Sequence, residues 1–511
     1  MPSLGPPIPE TVFTKPWPQV LEMAHQYPDR EAVVAPTGRM TYQEMTQRVF
    51  QHQRGLESLG LTPGDRVAAM LGNDWSYLVL YWAVLASGMV FVPLNTKLAR
   101  PEVAEIMQDA EPQLVITEDA LIAQLPETGS GQRMALSQFH RHLQDASTAP
   151  LDASPAAPED VALILYTSGT TGRPKGVMLT HANIAYQFYQ STSTLVGINP
   201  GDRVVSLYPL FHSAQHVFLQ APLTVGATAV IDEFSPKRVH QLLKDEHVTV
   251  FFGVPAMYHI LLQDPTFLAD NFPDIRILTY GASLMPMETI QTIKNRFPHA
   301  PIKNLYGQTE NSPAISGLDG EYALTKPGSV GRPLPGMTIA VFDDDDHELP
   351  SGVVGEVVTQ GVNLMKGYYK NPQATHDAVQ NGWYHTGDLG YLDNEGFLYI
   401  IDRKKDMIIR GGQNIYPAEV ENVLYQHPDV VECAVIGVPH TIYGEEVAAV
   451  IVKKAGAPLD GDRLRLFAKD RIASYKLPVH YHFVDELPHN ASGKILKRDL
   501  RAMARDGILY E

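Results

Sequence analysis

The sequence predicts an α/β protein: a large N-terminal domain of several subdomains built on α/β sheets, followed by a small α+β C-terminal domain. Three features lead there. The chain has 511 residues, more than one compact core ordinarily organises, so two or more domains are expected. Strand, helix, strand is the dominant pattern along it, which belongs to largely parallel sheets covered by helices. After about residue 338 the texture changes to short alternating strands.

Composition narrows the class. Hydrophobic residues make up 44% and charged residues 19%, the balance of a folded globular chain rather than a disordered one. Forty Lys and Arg against 57 Asp and Glu give a net charge of -17. Such a chain repels nucleic-acid phosphates unless it carries a local basic patch, and no patch of convincing size is visible. A small polyanion is still compatible, because one site can be positive within an acidic whole. Cys433 is the single cysteine, which excludes an intramolecular disulfide and a thiolate metal cluster. It lies in the strand-like Val-Val-Glu-Cys-Ala-Val-Ile-Gly-Val and is expected to be a buried structural thiol.

The elements follow in order. The N-terminus has neither a basic start nor an apolar run, so it is not a secretory signal. Pro63-Gly64-Asp65 is a turn feeding the strand Val67 to Leu71. Trp75 to Thr96 carries no charge and is long enough to cross a bilayer. Ser87-Gly88 interrupts it, however, and Pro93 follows. It is therefore read as a helix over Trp75 to Ala86 and a buried strand over Met89 to Leu94, not as an integral membrane segment. A cytoplasmic location is expected.

Residues 144–160, rich in Ala, Pro, Ser and Asp, read as a surface linker. Ser235-Pro236 reads as an N-cap with Pro at the first helical position, opening a helix that places Val239, Leu242 and Leu243 on one face. A strand over Val248 to Phe252 follows. The acids Asp343 to Asp346 read as a solvated hairpin turn rather than a metal cluster. Asp393 to Gly396 is a turn before the strand Phe397 to Ile401. The domain boundary is placed at 402–405, between an N-terminal domain of residues 1–401 and a C-terminal domain of residues 405–511.

The strongest chemical signal is Tyr166-Thr-Ser-Gly-Thr-Thr-Gly-Arg-Pro-Lys-Gly-Val177, after the apolar strand Val161 to Leu165. Such a loop offers many backbone N–H and hydroxyl donors, and Lys175 adds a positive charge, which suits polyphosphate. No Gly-Lys is followed by Ser or Thr, so this is not a Walker A loop.

That segment resembles the signature of the adenylate-forming (ANL) superfamily, which includes acyl-CoA synthetases, luciferase-like enzymes and peptide-synthetase adenylation domains. Further segments resemble that family's motifs in its own order. Pro209-Leu-Phe-His-Ser-Ala214 resembles the acyl-pocket motif, and Tyr280-Gly-Ala-Ser283 the adenine-side loop. Asn304-Leu-Tyr-Gly-Gln-Thr-Glu310 resembles the Tyr-Gly-x-Thr-Glu motif. Trp383-Tyr-His-Thr-Gly-Asp388 and the run from Asp402 to Pro417 resemble the ribose site and hinge. Pro488-His-Asn-Ala-Ser-Gly-Lys494 resembles the terminal lysine motif.

The resemblance implies an ATP-dependent, AMP-forming acid–thiol ligase of the acyl-CoA synthetase or fatty-acid–CoA ligase kind. It would use ATP, Mg²⁺ and coenzyme A on a small-molecule carboxylic acid. A carboxylate must attack the α-phosphorus of ATP although both are anions, so cations must neutralise their repulsion and hold them in line. The roles carried over are these. Thr167, Ser168, Gly169, Thr170, Thr171, Gly172 and Lys175 would cradle phosphate. Gly281, Ala282, Ser283, Asn304 and Gly307 would line the nucleotide, with Tyr306 against adenine. Thr309 would bond the α-phosphate and Glu310 would hold Mg²⁺. Asp388 would accept the ribose hydroxyls with support from Arg403, and Lys494 would reach between carboxylate and α-phosphate.

For thioester formation the resemblance implies rotation of a mobile small domain about Lys405, bringing Gly411 and Gly412 to line the thiol tunnel. His212 stands where amino-acid-activating relatives carry an Asp, so an α-amino acid substrate is disfavoured. His212, Phe251, Gly253, Val254 and Tyr280 are assigned to the acyl pocket, which points to an uncharged hydrophobic acid, fatty or aromatic. A carrier-protein thiol as acceptor, and a non-catalytic nucleotide- or acyl-binding homologue, stay open as alternatives.

Overall fold

The computed structural model describes residues 2–10, 12–127, 131–151, 155–168, 174–283, 285–489 and 495–508, with only the backbone at 168. The chain divides into two compact units. The larger holds Ser3–Ile339 with Thr359–Tyr384, and the smaller holds Ala340–Val358 with His385–Glu511.

Two sheets organise the larger unit, and the α/β expectation holds. In the first, six parallel strands run in the order Ile302–Tyr306, Ile277–Gly281, Val250–Gly253, Arg203–Ser206, Thr228–Ile231, Glu31–Ala35. The antiparallel strand Ser316–Leu318 continues it beyond Ile302–Tyr306. Near-continuous burial along these strands is what helix cover on both faces requires. The second sheet runs Gly367–Tyr368, Pro174–Thr180, Val161–Ser168, Val90–Pro93, Arg66–Met70, Leu114–Thr117, Gln132–Ala135.

The uncharged stretch resolves as predicted into helix Trp75–Ala86 and strand Val90–Pro93, with Gly88 at φ +68° between them. Ser76 through Ala86 are all buried, so this helix is apolar on every side because protein surrounds it. No helix among the described residues is long and apolar enough to cross a membrane. Ser235 caps helix Pro236–Asp245 through the Arg238 N–H, and Val239, Leu242 and Leu243 are its buried face. The next strand starts at Val250, two residues later than expected. The Thr249 backbone still bonds Arg203 on one side and Ile277 on the other, but its hydroxyl, which donates to Asp202 at 2.7 Å, takes the Arg203 N–H at 3.0 Å in place of a ladder carbonyl.

In the smaller unit, strand residues 340–342, 355–358, 385–392 and Leu398–Arg403 lie side by side. The acidic run is the expected turn: Asp343 accepts the N–H groups of Asp345 and His347, and Asp346 sits at φ +60°. Phe397 belongs to the preceding turn instead of the strand, because its N–H bonds the Asp393 carboxylate at 3.0 Å. A second sheet carries Ile408–Arg410, Gln413–Ile415, Val430–His440, Gly444–Lys453 and His480–Phe483. Its alternating side chains build two cores. Cys433 and Val435 face one with Val420 and Leu424; Ala434 and Ile436 face the other with Leu500 and Ala504. Cys433 is buried as expected, and burial, reinforced by Glu421, pushes its thiol well up and keeps it protonated.

Three histidines of the larger unit, His52, His181 and His216, are at most 2% exposed. Burial lowers them to about 3, about 4 and about 4 respectively. Because the unfolded chain protonates first, near 6.5, their stabilisation is complete above that pH and is lost as pH falls toward 4. Each contributes a slope of roughly 1.4 kcal/mol per pH unit in that window. Denaturant midpoints are expected to be flat from pH 8 to 7 and to drop steeply between pH 6 and 5. A flat profile down to pH 5 contradicts the burial of neutral rings.

Candidate active site

The two ends of the signature segment lie on paired strands. Val161–Ser168 pairs antiparallel with Pro174–Thr180, setting Thr167 opposite Lys175. The Thr167 hydroxyl donates to the Lys175 carbonyl at 3.5 Å. Tyr166 anchors the first strand by donating its hydroxyl to Asp109 at 2.5 Å. Gly169, Thr170, Thr171 and Gly172, and the Ser168 side chain, lie outside the described residues.

Strand Ile302–Tyr306 delivers the second motif. At Gly307 the chain passes so close to its own return that a Cβ would lie 1.9 Å from the Pro313 carbonyl oxygen. Only glycine fits there. The turn Thr309–Asn311 then presents Thr309 and Glu310. The Thr309 hydroxyl lies 3.4 Å from that of Ser213, next to His212. Glu310 Oε1 accepts the Tyr368 hydroxyl at 2.9 Å. Among the described residues its second oxygen has no hydrogen-bond partner. Lys175 Nζ stands 5.0 Å over the Tyr368 ring, a cation–π contact. Tyr384 donates to Gln308 Oε1 at 2.8 Å. The larger unit thus brings Lys175 and Glu310 together at Tyr368, with Thr309, the residue before Glu310, against Ser213.

Tyr368, Tyr384 and Ser213 were not singled out from sequence. A tyrosine in Lys366-Gly-Tyr-Tyr-Lys370 has no periodic or spacing signal, and its role follows from a partner 58 positions away. Burial, then the Glu310 charge, pushes the Tyr368 hydroxyl well above its ordinary value, so it is a donor at neutral pH. Tyr368→Phe should leave Glu310 less well oriented. With Glu310 as the magnesium ligand that the resemblance implies, the magnesium concentration for half-maximal activity is expected to rise about fivefold, the size of one lost hydrogen bond, with stability little changed. An unaltered magnesium titration removes Tyr368 from this role.

The neighbouring loop continues strand Ile277–Gly281. A Cβ on Gly281 would meet the Leu305 carbonyl oxygen at 2.6 Å, and Ala282 is held at φ +69°. Ala282 and Ser283 are exposed there, while Tyr306 is half-buried at the end of the adjacent strand. Asn304 points inward, donating to the Ser329 carbonyl at 3.3 Å. His212 sits in a turn closed by its N–H to the Pro209 carbonyl, and burial lowers its ring to about 4, so it is neutral at pH 7.

Phe251 and Tyr280 belong to one buried apolar cluster with Tyr258. Gly253 lies against that cluster, its notional Cβ 3.1 Å from both Phe251 and Tyr258. Val254 is half-buried at the start of helix Pro255–Leu261. On the opposite side of the same strand, Phe252 stacks on Phe218 at 4.4 Å and meets Tyr208 at 5.8 Å.

The remaining motif residues lie in the smaller unit. Asp388 and Arg403 are register partners, and Arg403 Nε lies 2.6 Å from Asp388 Oδ1 with Asp388 only 3% exposed. Lys405 is exposed in the turn Lys404–Asp406. Gly411 and Gly412, at φ +57° and +81°, form the two-residue turn of the hairpin Ile408–Arg410 and Gln413–Ile415. Consecutive left-handed residues are what such a turn needs. Lys494 lies outside the described residues.

Residues 20–369 match the model of the AMP-binding enzyme family, and residues 419–494 match the AMP-binding enzyme C-terminal domain. The chain is 36% identical over 489 residues to a feruloyl-CoA synthase of Amycolatopsis sp, covering 95% of this chain and 98% of that protein. It is 36% identical over 482 residues to the 2-succinylbenzoate–CoA ligase of Bacillus licheniformis, covering 94% and 98%. The structure of o-succinylbenzoate CoA synthetase from Bacillus subtilis, in complex with its acyl-adenylate intermediate, superposes with a TM-score of 0.86 at 31% identity, covering 95% and 98%.

Proposed function

From the premise that this chain belongs to the AMP-binding enzyme family, we propose that it activates an aromatic carboxylic acid as the acyl-adenylate and transfers the acyl group to coenzyme A. It is an AMP-forming acyl-CoA synthetase that uses ATP, Mg²⁺ and CoA. The observation that carries the site is the convergence of Lys175 and Glu310 at Tyr368, with Thr309 next to Glu310. These groups come from two separate motifs, 166–177 and 304–310, and supply a cation, a hydroxyl donor and a carboxylate in one place.

The residues fit a magnesium ion. Glu310 keeps one oxygen without a hydrogen-bond partner among the described residues, while Tyr368 orients the other. When bound, Mg²⁺ neutralises phosphate charge and favours departure of pyrophosphate. The protein does the rest. Lys175 attracts the triphosphate, and the Thr309 hydroxyl donates to the α-phosphate. Tyr306 lies against adenine beside the 281–283 loop. Asp388 accepts the ribose hydroxyls, with Arg403 fixing its orientation. Neutral His212 borders the acyl pocket without trapping the substrate carboxylate as an ion pair. Lys494 bridges the carboxylate and the α-phosphate in the first step.

In the second step the thiolate attacks the acyl carbonyl and AMP leaves. Residues 405–511 rotate about Lys405 relative to residues 1–401, replacing Lys494 by the Gly411–Gly412 turn. The aromatic class is favoured by the relatives, one named for feruloyl-CoA and two for 2-succinylbenzoate. The reading includes a cytoplasmic location.

ATP–pyrophosphate exchange over aryl, arylalkyl, fatty, dicarboxylic and amino acids tests it, with mass detection of products formed with CoA or with a holo carrier protein. Exchange is expected with aryl acids, and an acyl-CoA as product. A preference for fatty acids overturns the acid assigned, and no exchange with any acid overturns the reaction.

A further inference from the structure

The smaller unit buries a second set of charges that this chemistry does not use. Lys497 opens the helix Lys497–Arg505, three residues after Lys494. Its ammonium pairs with Glu421 Oε1 at 2.7 Å, with side chains only 16% and 15% exposed. The same Glu421 oxygen takes the Val435 N–H at 2.7 Å. Asp402, 8% exposed, accepts the Arg403 N–H at 2.7 Å and the Ala418 N–H at 2.8 Å, at the head of helix Pro417–Leu424. One helical turn beyond Lys497, Arg501 pairs with Asp406 at 2.8 Å. The acids on either side of Lys405 therefore both meet the field of the helix that follows Lys494.

Burial alone would lower the Lys497 pKa, but Glu421, Asp402 and Asp406 together carry it above its ordinary value, so it is charged. Asp402, raised chiefly by its burial, is drawn back by Lys497 and the two N–H groups. Docking the helix does not require any of this. Leu500 and Ala504 already pack it onto the sheet, and an apolar side chain at 497 would dock it without desolvating an ion. What a buried ion pair adds is one fixed register.

We propose that Lys497 is a positioning residue for acyl-adenylate formation: its pairing with Glu421 beside Asp402 fixes the helix that follows Lys494 against helix Pro417–Leu424, and the step assigned to Lys494 depends on that register. The proposal rests on the role assigned to Lys494 above. Because Lys494 serves only the first half-reaction, loss of the pin falls on that step. A misplacement of about 1 Å in a reacting group costs on the order of 10²-fold.

The test uses the full-length chain with Lys494→Ala, Lys497→Met and Lys497→Arg. Two rates are measured: pyrophosphate exchange with the best acid, and thioester formation from supplied acyl-adenylate and CoA. Lys497→Met is expected to lower exchange by about 10-fold or more, to leave thioester formation within about 3-fold, and to be largely rescued in Lys497→Arg. Equal losses in both rates, no loss in either, or no rescue by Arg overturns the proposal. Should Lys497→Met fail to fold, Arg501→Ala, at the more open pair, is expected to slow exchange alone by about 3- to 5-fold, as for one partly exposed ion pair. An unchanged ratio of the two rates overturns the proposal there too. The two assignments fail separately. If Lys494→Ala leaves exchange intact, the role of Lys494 falls and this inference with it. If Lys494→Ala abolishes exchange and Lys497→Met leaves the ratio of rates unchanged, only the positioning role falls.

Discussion

Lys494→Ala should slow acyl-adenylate formation by about 10²–10³-fold, the usual cost of removing one preorganised charge from a transition state. A carboxylate approaching the α-phosphate brings a further negative charge to an already anionic group. An ammonium placed between them is worth most at the moment of bond formation, when negative charge builds on the oxygens of the transferring phosphoryl group. The substitution should therefore lower kcat much more than it raises KM for ATP. Thioester formation from supplied acyl-adenylate should stay within a few-fold of the unaltered chain, because the role proposed for the lysine lies in the first step alone. Equal damage to the two half-reactions would mean that Lys494 supports the fold instead of the chemistry.

Glu310→Gln should produce a loss of similar size, about 10²–10³-fold, with a different signature. The amide keeps the volume and can still accept the Tyr368 hydroxyl now bonded to Glu310, so the thermal midpoint should barely move. Its charge is gone, and with it the hard anionic oxygen that magnesium prefers. Adenylation should become insensitive to magnesium over the range where the unaltered chain saturates, and direct titration of magnesium with a non-hydrolysable ATP analogue should show weakened binding. Thioester formation, which handles no pyrophosphate, should be nearly unaffected. Full activity at elevated magnesium would reduce Glu310 to a minor electrostatic contributor.

Much of this was legible in the sequence because it is local. Helix Trp75–Ala86 was bounded by Gly88, and the Ser235 cap by Pro236, since both signals act within one turn of chain. Errors occurred where a side chain from elsewhere in the fold competed for backbone or hydroxyl. At Thr249 a side-chain hydroxyl, held by Asp202, takes the Arg203 N–H from the ladder, and Phe397 was held in a turn by Asp393. Neither competition has a periodic signature.

The amino-acid order by itself determined the α/β class, the motif set and the kinds of group available for adenylation, since these depend on residue type and on spacing over a few residues. The tertiary structure alone decided which groups meet. Sheet register and helix packing set Tyr368 against Glu310 across 58 positions, Ser213 against Thr309 across 96, and Glu421 beside Lys497. Contacts at such separations are settled by the joint burial of whole strands and helices, and no window of sequence contains that balance.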